Sequence, residues 1–279
     1  MHDPEIEKYL KTNKAMWNEY VGINSHSAMY DMDAFRKGEV MLNPLERDEV
    51  GDVKGKTLLH LQCHFGMDTL SWARLGAQVT GMDFSDEGIK LAKKLSEDLS
   101  IPGRFVCCDL YDLPQMLPEE KFDIVFTSYG ALCWLPDIKR WAEIAASYVK
   151  PGGFLYIAEF HPFALVFDDE SEELRFRYPY YEKMMSFDVE GSYADRNAKV
   201  SVKWDYEWNH TMGEIVTGLI DAGLCLEYLH EHPFSVYGQL AMLGPDGKGY
   251  WHFPDGAKPI PLMYSLKARK PVRFDTPRG

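Results

Sequence analysis

The chain has 279 residues and a formal net charge of −13. Hydrophobic residues make up 46% and charged residues 26%, a balance that buries a sizeable core and excludes a disordered or fibrous chain. The acidic excess and the lack of a dense Lys/Arg cluster disfavour a nucleic-acid partner, which needs a basic face.

Residues 4 to 22 predict a helix, with Ile6, Tyr9, Leu10, Met16, Trp17 and Tyr20 spaced for one apolar face. "GINSHSAMYDMDAF" reads as turn, and Gly51 and Gly55 mark the entry to a first strand. From residue 57 the rhythm is regular. "TLLHLQC" predicts a strand, "DTLSWARLG" a helix ending at Gly76, and "QVTGMDF" a second strand. "SDEGIKLAKKLSEDLS" predicts a helix capped by Ser85. "GRFVCCDL" and "FDIVFTSY" are the next strands, "IKRWAEIAASYVKPGG" a helix stopped at Pro151, and "FLYIAEFHPF" a fifth strand. Alternating strands and helices imply a doubly wound, mostly parallel α/β sheet. The rhythm breaks at residues 162 to 210, which are rich in aromatics. There "AKVSVKWDYEW" alternates like a strand, with Val200, Val202, Trp204, Tyr206 and Trp208 on one face, as in a small antiparallel β cap. Helix and strand return from 211, and a Gly/Pro-rich stretch at 238–261 leads to a last strand, "LMYSLKARKP". The expected organisation is an N-terminal helical segment at 1–52, a core at 53–161 and 211–279, and an inserted aromatic-rich cap at 162–210.

Open parallel sheets bind ligands at the carboxyl ends of their strands. The first turn, "HLQCHFGMD", holds only Gly66, where a dinucleotide fingerprint needs three glycines. Gln62, Cys63, His64 and Phe65 would meet a pyrophosphate with side chains, so a cofactor without phosphates fits better. No metal is expected, because strand alternation splays His60, Cys63 and His64 onto different faces. Asp83 ends the second strand about twenty residues after the turn, the position of a carboxylate that accepts ribose hydroxyls. Asp109 can accept from an adenine amine, with the Leu110 backbone reading the ring edge. Ser128, Tyr129 and Gly130 end the fourth strand and line the cleft, while Trp134 is either pocket wall or core. His161 sits at the mouth of the cleft as a candidate general base or substrate anchor.

Taken in order, "LLHLQCHFG", "VTGMDFSDEGI", "FVCCDLYDLP", "FDIVFTSYGALCWLPD" and "VKPGGFLYIAEF" resemble the class I S-adenosylmethionine-dependent methyltransferases. The pattern "LHLQCHFGMDTLSWARLGA" is similar to a bacterial subgroup with an altered first glycine loop. The resemblance covers about residues 54–160 and 211–270. It implies a seven-stranded sheet whose last strand is antiparallel, with S-adenosylmethionine as cofactor and S-adenosylhomocysteine as product. It places Asp83 on the ribose, Phe84 against adenine, Asp109 on the adenine amine, and the Gly66 loop on the methionine part. Where the family has an acid and then glycines, this chain has His60, Gln62 and His64, and the Gln62 amide oxygen is a candidate replacement for the acid. The N-terminal segment is expected to act as a lid, bringing Trp17 and Tyr30 to the methionine moiety or sulfonium, since aromatic faces attract cations. His161 is the first candidate base, with Tyr129 and His26 behind it. Trp134, His161, Tyr178, Tyr180, Trp204 and Tyr206 are the expected acceptor pocket. The acceptor expected is a small, partly apolar or aromatic molecule, methylated on O, N, S or C. Two other readings share the same frame: an NAD-dependent oxidoreductase and a non-catalytic binding module.

The five cysteines show no zinc or disulfide spacing and suit a reducing cytoplasm. The polar N-terminus is no signal peptide, and no apolar run is long enough to span a membrane. The expected setting is therefore cytoplasmic, as a monomer or homodimer with no membrane partner.

Overall fold

The computed structural model describes residues 3–272. Three helices come first: α1 (Pro4–Asn24), α2 (Met32–Arg36) and α3 (Pro44–Val50). The alternating core follows as β1 (Thr57–Leu61), α4 (Met67–Arg74), β2 (Gln78–Asp83), α5 (Asp86–Asp98), β3 (Arg104–Cys107), α6 (Leu113–Met116), β4 (Phe122–Ser128), α7 (Ile138–Tyr148) and β5 (Val149–Phe160). The remainder is β6 (Met184–Asp188), β7 (Trp204–Trp208), α8 (Met212–Asp221), β8 (Cys225–His232), β9 (Phe234–Ser235), β10 (Gly244–Pro245), β11 (Trp251–His252) and β12 (Met263–Arg269).

Seven strands form one sheet in the order β3-β2-β1-β4-β5-β12-β8. β1 pairs parallel with both β2 and β4, and β12 runs antiparallel between β5 and β8. The sheet has the expected architecture, the antiparallel last strand included. Its inner strands are mainly apolar because helices cover both faces. One side buries Leu59, Leu61, Val125, Leu155 and Ile157 with Trp141 and Leu219, and the other buries Leu58, Ile124, Phe126 and Tyr156 with Trp72. The chain reverses strand order between β1 and β4, and the cleft opens at their carboxyl ends.

The expected β cap is a two-stranded antiparallel ribbon, β6 with β7. It is shorter than the alternation suggests. Val200 and Val202 lie before β7 and pack instead on Met16 and Tyr20 of α1. The Gly/Pro-rich stretch holds more structure than expected, since β9, β10 and β11 form a three-stranded sheet. α1 is stitched to the inserted segment. The Asn13 amide donates to the Tyr206 carbonyl at 2.6 Å and accepts from the Tyr206 N–H at 3.0 Å. The Tyr20 hydroxyl donates to the Gly191 carbonyl at 2.9 Å. No helix among the described residues is long and apolar enough to cross a membrane.

Candidate functional site

The turn after β1 contains side chains where glycines were expected, yet its backbone keeps a glycine-like path. Gln62 (φ 56°), His64 (φ 51°) and Gly66 (φ 76°) all adopt left-handed conformations. Each non-glycine residue in that region costs roughly 1–2 kcal/mol. Local hydrogen bonds offset the cost. Cys63 N–H donates to Met82 O and Gly66 N–H to Cys63 O, both at 2.8 Å, and His64 N–H donates to Asp83 Oδ2 at 2.8 Å. Gly66 itself is irreplaceable on steric grounds. A Cβ there would stand 2.7 Å from the Phe105 ring and 2.8 Å from Ala92 Cβ.

Asp83 ends β2 and is buried. Oδ2 accepts from His64 N–H and Oδ1 from Ser85 N–H, each at 2.8 Å. A carboxylate offers about four acceptor positions; the Phe84 N–H also acts on this one, and room remains for a guest. Burial raises its carboxyl to about 6, which leaves it ionised at neutral pH. Phe84, Asp109 and Leu110 meet at a small space of about 30 Å³, joined by Gln62, Met82, Leu10 and Trp134. Asp109 accepts from Tyr111 N–H at 2.8 Å and so caps the short turn that presents Leu110.

The main cavity holds about 470 Å³. Its wall includes Trp17, Tyr30, Gln62, Cys63, His64, Gly66, Asp83, Ser128 and Tyr129. All twelve residues expected at a cofactor thus line one of two adjoining spaces. Three buried polar atoms on this wall lack a partner: Trp17 Nε1, Gln62 Oε1 and His64 Nε2. The Gln62 side-chain nitrogen donates to Ala131 O at 2.6 Å, which fixes the orphan amide oxygen. Burial lowers the His64 pKa to about 3, so its imidazole is neutral. Trp17 meets His64 and Trp134 edge-on, with ring centroids 5.2 and 5.3 Å apart. The Tyr30 hydroxyl bonds to that of Tyr193 and lies 3.4 Å from His64 Nδ1. The result is an aromatic roof above the turn.

The expected acceptor and base residues divide. Trp134 and Tyr180 line the cavity, and Tyr129 does so while donating its hydroxyl to Glu46. Five others are placed elsewhere, which corrects their expected position. His161 is turned toward the sheet edge. Its Nδ1 accepts from Phe163 N–H at 3.1 Å, and its Nε2 lies 2.9 Å from Glu231 Oε1. His26 is exposed, with Nδ1 on the Gly22 carbonyl at 2.8 Å. Tyr178 packs on Phe187 and reaches Asp169. Trp204 is 49% exposed, and Tyr206 stacks on Tyr9 of α1 at 4.1 Å. The strand alternation was sound, but its aromatic face serves α1 and solvent more than the cleft.

Sequence reasoning missed four carboxylates. Glu159 is buried and accepts from the N–H groups of Gly130, Ala131, Leu132 and Phe160, which pins the turn after β4. Glu46 is fully buried on α3, accepting from Asn43 N–H at 2.9 Å and from Tyr129, and burial raises it to about 8. Asp68, in the first turn of α4, lines the cavity and is raised by burial to about 6. Glu207 of β7 lines it too and is raised to about 8, again chiefly by burial. The capping-box signature of Asn43 and Glu46 was a usable signal for α3, whereas nothing in the strand pattern singled out Glu207.

A family profile described as "Methyltransferase domain" matches residues 59–157. This span runs from β1 into β5 and contains the turn, Asp83, Asp109 and Ser128. These residues are therefore similar to a methyltransferase domain. Beyond it, the chain is 31% identical over 132 residues to a "Ubiquinone biosynthesis O-methyltransferase" of Chromobacterium violaceum, covering 46% of this chain and 56% of that protein. The chain therefore spans about half the length of the curated relatives it matches. Among solved structures, an S-adenosylmethionine-dependent methyltransferase from Mesorhizobium loti superposes with a TM-score of 0.59 at 21% identity, covering 84% of this chain and all of that one. The glycopeptide N-methyltransferase MtfA, solved with sinefungin, gives 0.53 at 15% identity, covering 82% of this chain and 86% of that one. The chain thus shares the fold of these structures, and Trp17 of α1 with Glu207 and Trp208 of β7 line its cleft.

Proposed function

We propose that this chain is an S-adenosylmethionine-dependent methyltransferase acting on a small-molecule acceptor. Asp83 carries the reading. Its carboxylate closes the turn after β1 through backbone N–H groups and lines the cavity with acceptor capacity to spare, as ribose hydroxyls require. The donor set fits the rest of the group. Phe84, Asp109 and Leu110 hold the adenine, and the left-handed turn at Gln62, His64 and Gly66 runs beneath the methionine part. Asp68 and the orphan Gln62 oxygen receive the ammonium, in place of the acid that His60 displaces. His60 is committed elsewhere, with Nδ1 on Thr69 Oγ1 at 2.8 Å.

Bound S-adenosylmethionine supplies a methyl group already activated by its sulfonium. The protein's own work is orientation and water exclusion. Trp17, Tyr30, Trp134 and Tyr193 roof the cleft and offer ring faces to a cation. Glu159 holds the turn at 130–132 rigid beside it. The N-terminal segment 1–52 serves as lid and 162–210 as cap, joined through Asn13 and Tyr206. Trp134 and Tyr180 form part of the acceptor wall. The tight packing of His161 between Phe163 and Glu231 supports a structural role for it in place of a base.

Calorimetric titration with S-adenosylmethionine and S-adenosylhomocysteine, with NAD as control, tests this. Micromolar binding of both sulfur nucleosides and none of NAD is expected. Failure of both to bind sinks the proposal, and NAD binding alone replaces it with an oxidoreductase.

A further inference from the structure

The cavity continues past the cofactor residues to a second end, where Cys133, Trp134, Tyr180, Glu207, Trp208 and Tyr237 face it. Glu207 is the ionisable carboxyl of that end, and burial holds it mostly protonated at neutral pH while the cavity is empty. The groups acting on its carboxyl are burial and two further acids, Asp205 and Asp169. Its side chain makes no hydrogen bond or ion pair among the described residues, and the neighbouring Asp205 has a buried Oδ1 that is also unpartnered. The other carboxylates on the wall have work at the first end. Asp83 and Glu159 accept backbone N–H groups, and Asp68 stands at the start of α4 beside Gly66. Among the described residues lining the cavity there is no lysine or arginine. The nearby His210 has Nε2 on the Leu135 carbonyl at 2.7 Å, and burial lowers its pKa, so it brings no charge.

A recessed carboxyl amid like charges keeps its proton unless a cation arrives to stabilise the ionised form. Everything around Glu207 suits that arrival. Trp134, Tyr180, Trp208 and Tyr237 line the same cavity, as does Ile215, and aromatic rings attract alkylammonium groups. We propose that the acceptor is a small amine, anchored by Glu207 at its basic nitrogen and held by the aromatic wall around it. The inference deepens the methyltransferase reading and rests on it for the identity of the site. It narrows the acceptor from any small, partly apolar molecule to one that carries a positive charge at neutral pH.

The test uses the full chain saturated with S-adenosylhomocysteine and three probes of one shape: 2-phenylethylamine, 2-phenylethanol and 3-phenylpropionate. Binding is followed by calorimetry and saturation-transfer NMR. The amine is expected to bind at least about tenfold more tightly than the alcohol, with the acid weakest, since a charged hydrogen bond contributes about 1.5 kcal/mol or more. Glu207→Gln is expected to abolish this preference while S-adenosylhomocysteine affinity stays unchanged. Glu207→Asp, a second variant in case the first folds poorly, is expected to keep part of it. Equal binding of amine and alcohol, no amine binding at millimolar concentration, or a preference that survives Glu207→Gln overturns the proposal. If S-adenosylhomocysteine itself does not bind, the methyltransferase reading fails, and the same comparison on the unloaded protein still decides whether Glu207 holds a cation.

Discussion

Asp83→Asn probes the cradle most directly. The wild-type carboxylate has about four acceptor positions; the His64, Ser85 and Phe84 N–H groups act on it, and room remains for a guest. Asparagine keeps the shape but has one oxygen, and its amide NH₂ must oppose either a backbone N–H or a ribose hydroxyl. One charged hydrogen bond to the guest is lost, at about 1.5–3 kcal/mol, so S-adenosylhomocysteine affinity should fall about 10- to 150-fold. There is also a signature in pH. The Asp83 carboxyl is raised to about 6 in the free protein, and only its ionised form accepts from both hydroxyls. Affinity should therefore be full above that value and decline as pH falls through it, by about tenfold per unit below. Asp68 titrates near the same value, and its ionised form favours the ligand ammonium, so it adds to the slope. Calorimetry between about pH 5 and 8 on wild type, Asp83→Asn, Asp68→Asn and the double variant separates the two. Each single variant should lose part of the slope and the double variant all of it. Wild-type affinity in Asp83→Asn, or a pH slope that Asp83→Asn leaves untouched, refutes the ribose assignment.

Three more outcomes are expected. Glu46 rises from 4.5 to about 8 on burial, so its contribution to stability is fully present below the lower value and is lost as pH rises through the upper one. The full span is roughly 5 kcal/mol at most, and urea unfolding of Glu46→Gln across that range should show a much flatter pH dependence than wild type. Gly66→Ala drives a Cβ against Phe105 and Ala92 at a left-handed position and should cost about 2–4 kcal/mol, visible as a lowered melting temperature together with weaker S-adenosylhomocysteine binding. His161→Ala removes the acceptor of Phe163 N–H and should cost about 1–2 kcal/mol of stability, with S-adenosylhomocysteine affinity unchanged by calorimetry.

What the sequence made legible follows from periodicity. β1 through β5 and the helices between them carry unbroken apolar patterns, so the carboxyl ends of the strands, and with them Gln62, Asp83, Asp109 and Ser128, could be placed in advance. The left-handed path at Gln62 and His64 could not, because those residue types ordinarily avoid it and only the bonds to Asp83 and Met82 show why they accept it. Glu46 stayed hidden in a seven-residue helix too short for a periodic signal. Trp204 and Tyr206 misled for a different reason. Alternation tells which side chains share a face, but not what that face meets, and here α1 takes Tyr206 from the far end of the chain.

The bonds between Asn13 and Tyr206 span 193 positions of sequence. During synthesis α1 leaves the ribosome long before its partner strand β7. The strands that lead to Gln62, Asp83, Asp109 and Ser128 pair among themselves, and all precede β7 in the chain. Long-range contacts close late, because the loop entropy must be overcome before they contribute. The parallel strands β1 to β5 thus precede β7 in the chain while β12 and β8 complete the sheet after it, and until β7 is made Trp17 and its apolar neighbours on α1 have no ribbon to rest on.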